Sequence, residues 1–174
     1  MTYRLLLNGK KAAQDDIREA IYQLRGEGYP IEVRVTWEGG DIERLVQEAA
    51  DQGVSRLIAG GGDGTINEVV DALLKNNITT MEVAILPLGT ANDFATACSI
   101  PTNSAYDALL LAVLGTSKPV DAARANDRHF VNIATAGWVW CASYSKHTYC
   151  PKKLPWRRSL HARRPRSSHQ LPTF

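Results

Sequence analysis

Arg56-Leu57-Ile58-Ala59-Gly60-Gly61-Gly62-Asp63-Gly64-Thr65-Ile66-Asn67-Glu68 is the stretch that decides how this chain is read. A short apolar run, the mark of a buried strand, enters four glycines within five residues, and apolar residues at helical spacing follow at once. Glycine permits positive φ and lets another group come close to the main chain. The helix behind the loop offers unpaired N–H groups and a partial positive charge at its N-terminus. Together these make an anion cradle of the kind that holds nucleotide phosphates. A plain strand-to-helix turn needs one or two glycines, and each further one costs roughly 0.5–1 kcal/mol of chain entropy. The loop fits neither of two familiar phosphate loops. Thr65 stands where a dinucleotide fingerprint begun at Gly60 needs its third glycine, and no Gly-Lys-Ser or Gly-Lys-Thr follows. Asp63 is the discordant residue, because a carboxylate repels phosphate unless a divalent cation or ordered water intervenes. It reads as the N-cap of the following helix or as a metal- or water-positioning group, and the two roles are compatible.

Working outward, strands alternate with helices. Tyr3–Leu7 is expected as a buried strand ending at Asn8-Gly9, and Ile17, Ala20, Ile21 and Leu24 as the apolar face of a helix closed by Gly26 and Gly28. Ile31, Val33, Val35 and Trp37 alternate with polar residues, which predicts a half-buried strand. Asp41 is expected to cap a helix whose apolar face is Ile42, Leu45, Val46 and Ala49. Ile66, Val69, Val70, Leu73 and Leu74 line the helix after the glycine loop, and Val83–Leu86 reads as a fourth strand. Asn103 or Ser104 opens a helix carrying Ala108, Leu111 and Ala112, with further strands expected near Val120 and at Phe130–Ile133. The pattern predicts an α/β fold: a mostly parallel sheet with helices on both faces. Ligands of such sheets sit beyond the carboxyl ends of the strands, where Thr36, the glycine loop and Gly89-Thr90 all fall.

Other residues near those ends carry two readings. Thr90 and Asn92 are ordinary turn residues, or neutral hydrogen-bond partners for phosphate or ribose. Asp93 starts a helix or holds a cation-bound water. Asn8-Gly9-Lys10-Lys11 is a solvated turn from which a lysine could reach a phosphate. His129 is assigned no role.

Composition divides the chain. Residues 138–174 hold eight of the 20 Lys and Arg and none of the 18 Asp and Glu, a charge of +8, which leaves 1–137 at −6. The three cysteines have no Cys-x-x-Cys spacing, so neither a disulfide framework nor a zinc site is expected. The start lacks a secretory apolar region and there is no long apolar run, so a cytoplasmic protein without a transmembrane segment is expected.

Gly61-Gly62-Asp63-Gly64-Thr65, with Asn67-Glu68 behind it, resembles the signature loop of the diacylglycerol kinase and NAD kinase superfamily. Leu86-Pro87-Leu88-Gly89-Thr90-Ala91-Asn92-Asp93-Phe94-Ala95 is similar to the Gly-Thr-x-Asn-Asp block of its lipid-kinase branch. The spacing of the two blocks and the strand end Arg34-Val35-Thr36-Trp37 resemble bacterial lipid kinases of the YegS type, over about residues 3–137. The Thr-Pro-Thr-Gly-Ser-Thr run of NAD kinases has no counterpart, so a NAD kinase relative is the weaker alternative.

The resemblance implies ATP as phosphoryl donor, a divalent cation (Mg), and a lipid hydroxyl such as that of diacylglycerol or phosphatidylglycerol as acceptor. It implies action at the inner face of a membrane, with no nucleic-acid partner. Carried onto this sequence, the nucleotide-binding set is Thr36, Gly61, Gly62, Asp63, Gly64, Thr65, Ile66, Asn67, Glu68 and Thr90. The catalytic glutamate base and the metal ligands are implied to lie in a second, mainly β domain with no matching positions here. The chain is therefore expected to comprise a nucleotide-binding domain over 1–137, inactive alone, and a tail over 138–174.

The tail, with three of the four Trp, four of the eight Pro and no visible period, is not expected to pack. Its abrupt start at Gly137 reads as an out-of-frame continuation. If it is authentic, its Lys and Arg pairs make the chain a non-catalytic nucleotide-binding module that docks on membrane or nucleic acid by charge.

Overall fold

Leu5, Leu6 and Leu7 are shielded from solvent on both faces, which makes β1 (Tyr3–Asn8) an interior strand. The computed structural model describes residues 2–131. β1 is flanked by β2 (Ile31–Thr36) and β3 (Arg56–Gly61), and β4 (Glu82–Pro87) pairs with the far side of β3. All three pairings are parallel, in the order β2-β1-β3-β4. Helices α1 (Asp15–Gly26) and α5 (Ala105–Leu114) cover one face with a core around Leu5, Leu7 and Ile58. Helices α2 (Asp41–Asp51), α3 (Asp63–Lys75) and the short α4 (Asp93–Ala97) cover the other, around Leu6, Leu57 and Ala59. The α/β architecture with helices on both faces is as expected. Right-handed crossovers explain the partition: the chain moves one way from β1 to β2 and the opposite way from β2 to β3 and β4, so α1 and the α2–α3 pair land on opposite faces.

Four helices stop by one device. Gly28, Gly53, Asn77 and Ser99 take left-handed conformations, and the next residue (Tyr29, Val54, Ile78, Ile100) donates its N–H five residues back. That is the Schellman closure, with an apolar residue returning to the helix end it terminates. At the amino ends of the strands, buried Arg4 bonds Glu32, Glu48 and Gln52, and buried Arg56 bonds Glu82 and the Ala112 carbonyl. These ion pairs anchor the end of the sheet away from the glycine loop.

Five expectations are corrected. β2 ends at Thr36, so Trp37 is not an inward strand residue but 92% exposed. Among the described residues β2 is an edge strand, and Val35 near its carboxyl end is exposed too. On α5, Leu111 faces solvent while Leu109 and Val113 join Ala108 and Ala112 inside. Its run Leu109-Leu110-Leu111-Ala112-Val113-Leu114 has no polar residue to reveal the phase. Ser104 is its N-cap, accepting from the Asp107 N–H at 3.1 Å, as expected. The N-cap of α2 is Gly40, and Asp41 turns back instead to accept from the N–H groups of Trp37 and Glu38. The last two strands do not join the parallel sheet. β5 (Ala123–Ala125) and β6 (Arg128–Phe130) form a separate antiparallel hairpin, turned at Asn126-Asp127 with Asn126 at φ 53°. Ile133 and the expected tail lie outside the described residues.

Candidate functional site

Sheet topology singles out one place. The chain leaves β1 for β2 on one side and later returns to β3 on the other, so the switch point lies between the carboxyl ends of β1 and β3. Asn8-Gly9-Lys10 leaves one of those ends and Gly60–Gly64 the other.

None of the glycines at 60, 61, 62 and 64 has positive φ, so the expected conformational reason for the run does not hold. Close approach does. Gly60 and Gly61 lie within β3, where a Cβ on Gly60 would come 2.9 Å from Leu5 Cδ1 and one on Gly61 2.3 Å from Thr65 Oγ1. A Cβ on Gly62 would sit 3.1 Å from the Gly89 Cα. Packing therefore demands a glycine at 61 and favours one at 60 and 62. Gly64 differs: it is exposed, and a Cβ there would meet nothing within 4 Å. No packing requirement accounts for it.

Gly62 is the N-cap of α3 and supplies no side-chain bond to the helix terminus. The N-cap residue therefore satisfies none of the first-turn amides with a side chain. Asp63, expected as the cap of its own helix, serves another. Its carboxylate accepts from the N–H groups of Asp93 at 3.3 Å and Phe94 at 3.1 Å, closing the start of α4. Asn92, left-handed at φ 52°, spends both halves of its amide on Gly89, with Oδ1 accepting at 2.8 Å and Nδ2 donating at 2.9 Å. It shapes the loop and is not a free ligand partner. Asp93 begins α4, the helix-start alternative of the sequence reading. The Leu88 N–H donates to the Gly61 carbonyl at 2.8 Å, and Gly62 and Gly89 touch backbone to backbone. The two motif blocks thus form one structural unit, with Thr90 exposed on it.

A cleft of about 770 Å³ lies between the start of α2, the middle and carboxyl-terminal half of α3, and the ends of β1 and β2. Of the expected residues, Thr36 and Glu68 line it; Gly61–Asn67 and Thr90 do not. Lys10, Lys75 and Arg128 bring positive charge to its wall, and Glu38, Glu43, Glu68 and Asp71 negative charge. Gly9 fits under Thr36, where a Cβ would come 2.2 Å from the Thr36 carbonyl oxygen, and its N–H donates to Thr36 Oγ1 at 3.4 Å. Two expected residues are used by the fold. Ile66 is 1% exposed in the core and its N–H donates to the Gly62 carbonyl, while Asn67 Oδ1 accepts from the Val131 N–H at 3.1 Å. Thr65 is buried against Gly61.

The sequence reading missed Asp71 and gave His129 no part. Asp71 accepts from the His129 N–H at 2.8 Å, lies 3.1 Å from His129 Nδ1, and pairs with Lys75 Nζ at 2.8 Å. Burial alone would raise the Asp71 carboxyl, but hydrogen bonds from Lys75 and from the His129 backbone and ring outweigh it and hold the group below the usual carboxylate range. The 58 residues separating Asp71 from His129 left no local signal.

The loop Trp37–Gly40, at the edge of the cleft, hangs on Asp41. The Arg44 guanidinium and the Trp37 and Glu38 amides hold the Asp41 carboxyl down to about 2. A depressed carboxylate stabilises the fold above its unfolded value of 3.8, and that contribution is lost as pH falls through about 2. Acid should therefore release this loop between about pH 4 and pH 2. The Trp37 and Glu38 amide shifts, followed by NMR, should move together with the Asp41 side-chain signal, and Asp41→Asn should abolish the transition.

Among the described residues no group of three or more His, Cys, Asp or Glu is placed to hold a metal ion, and no helix is long and apolar enough to cross a membrane. Residues 2–125 match the diacylglycerol kinase catalytic domain family. A probable lipid kinase YegS-like protein of Shewanella frigidimarina is 50% identical over 137 residues, covering 78% of this chain and 44% of that protein. One of Yersinia enterocolitica is 54% identical over 136 residues, covering 77% and 46%. A diacylglycerol kinase of Bacillus anthracis superposes with a TM-score of 0.64 at 32% identity, covering 75% of this chain and 46% of that structure. The chain thus spans less than half the length of the relatives it matches.

Proposed function

The chain belongs to the diacylglycerol kinase catalytic domain family, and from that premise we propose that residues 2–131 are the nucleotide-binding half of an ATP-dependent lipid kinase. The observation that carries the reading is Gly64 on the first turn of α3: a glycine with no neighbour to avoid, on a helix terminus with no side-chain cap, beside the switch point of a parallel sheet. Bare amides on a helix start favour phosphate, and a missing side chain lets it approach.

In this reading the α3 amides at Gly64 and Thr65 hold the phosphates, with Lys10 adding charge from the end of β1. Thr36 and Thr90 contribute hydroxyls from either side. Asp63 and Asn92 position the loops and touch no ligand. Bound ATP supplies the transferable phosphoryl group, whose transfer calls for positioning and charge neutralisation more than for covalent chemistry by the protein. The set fits a polyphosphate: backbone donors, hydroxyls and a lysine. A magnesium ion would travel with the nucleotide or be held by residues outside those described. The acceptor would be a lipid hydroxyl at a membrane surface, such as that of diacylglycerol or phosphatidylglycerol, in keeping with relatives named as lipid kinases. We assign no general base.

Calorimetry with MgATP should show saturable binding to the 174-residue chain. Transfer of labelled phosphate to diacylglycerol or phosphatidylglycerol vesicles should run far below the roughly 1–100 per second of working kinases. Absence of ATP binding would end the reading, and phosphorylation of NAD in preference to lipid would move the chain to the other branch.

A further inference from the structure

Trp37 is the most exposed large apolar residue described, at 92%, and it lines the cleft directly after Thr36. Its backbone is not loose: the Trp37 N–H donates to Asp41 Oδ2 at 2.6 Å, the Glu38 N–H to the same oxygen at 3.0 Å, and Asp41 is itself held by Arg44 at 2.6 Å. An indole left in water on a pinned backbone is a preorganised flat surface without a cover. Its position relative to the phosphate loop follows from the sheet. β2 and β3 both neighbour β1, so the end of β2 lies about 10 Å from the end of β3 at ordinary strand spacing. The ends of β2, β1 and β3 present, in order, Thr36-Trp37, Asn8-Gly9-Lys10 and the glycine loop. An aromatic face, a lysine and a row of amides in that sequence match a base, its connecting phosphates and the terminal phosphate.

We propose that Trp37 is the stacking platform for the base of a purine nucleoside triphosphate, and that it, not the phosphate loop, distinguishes a nucleotide from a bare polyphosphate. The proposal rests on the nucleotide-site reading above. It assigns the base to the β2 end of the cleft and makes Trp37 a binding-specificity residue with no part in phosphoryl transfer. The neighbouring Glu38 and Glu43 add acceptors suited to an exocyclic amine, which favours adenine over a base without one.

The test is calorimetry with the full chain, titrating ATP and inorganic triphosphate, each with magnesium, into the unaltered protein, Trp37→Ala and Trp37→Phe. Because the side chain is exposed, neither substitution endangers the fold. Stacking of one base predicts about a tenfold loss of ATP affinity in Trp37→Ala, with Trp37→Phe within about threefold of the unaltered protein. Triphosphate affinity should be the same in all three. Unchanged ATP binding in Trp37→Ala overturns the proposal while leaving the phosphate site standing. Equal weakening of ATP and triphosphate also overturns it, since that reports damage to the loop. Failure of the unaltered protein to bind either ligand removes the nucleotide site itself, and the proposal with it.

Discussion

Gly64→Ala should leave the fold intact and weaken ATP binding tenfold or more, whereas Gly89→Ala should destabilise the fold. The contrast follows from what a methyl group would meet. At Gly64 it meets nothing within 4 Å, and φ there is not positive, so alanine fits the helix. Alanine is the better helix former by up to roughly 1 kcal/mol, so the thermal midpoint should hold or rise slightly. The methyl instead occupies the space through which a phosphate approaches the first-turn amides. Displacing one charge-assisted contact of about 1.5–3 kcal/mol corresponds to tenfold or more in affinity.

At Gly89 the methyl would lie 2.7 Å from the Gly62 Cα and 2.8 Å from Asn92 Oδ1. The first is backbone, and the second is an atom already accepting the Gly89 N–H. Neither can swing away, so the two loops must part. Overpacking of this kind costs about 1–3 kcal/mol, which for a domain of this size lowers the midpoint by roughly 2–12 °C. Calorimetric melting and ATP titration of the two variants give a two-by-two comparison. A destabilised Gly64→Ala, or a Gly89→Ala that melts like the unaltered protein, would contradict the assignment of one glycine to ligand and the other to packing.

The fold was largely legible because each element carried its own punctuation. Ser104 and Gly28 mark helix ends by local chemistry, and strands buried on both faces read as unbroken apolar runs. What the sequence hid was of two kinds. Phase was lost where a helix has no polar side, as on α5. Pairing was lost wherever a side chain served a distant segment: Asp63 caps α4, Asn67 holds Val131, and Asp71 holds His129. All three sit on the glycine-loop helix, in or just beyond the motif. From spacing alone every residue of that motif reads as facing a ligand. The structure divides it, with open space at Gly64 and the polar side chains of Asp63 and Asn67 used to hold the surrounding loops.

That division makes Asp63 the most informative carboxylate in the chain. Two effects oppose each other there. The charge repels phosphate at the helix start, while the oxygens hold the amides of Asp93 and Phe94 and so tie the second loop to the first. A helix of five residues cannot sustain itself, and Asn92 gives α4 no side-chain cap, so its start depends on Asp63. Removing such a cap costs about 0.5–2 kcal/mol. Asp63→Ala should therefore lower the melting midpoint by roughly 1–8 °C and weaken MgATP binding, because Thr90 and the Gly89 loop lose their register against Gly62. Asp63→Asn should behave differently. Its amide oxygen keeps one acceptor for α4 while the negative charge is gone, so inorganic triphosphate without magnesium should bind more tightly than to the unaltered protein, and magnesium should improve binding less. If both variants lost triphosphate affinity equally, with and without magnesium, the loss of acceptors would outweigh the loss of charge, and loop position alone would govern the site.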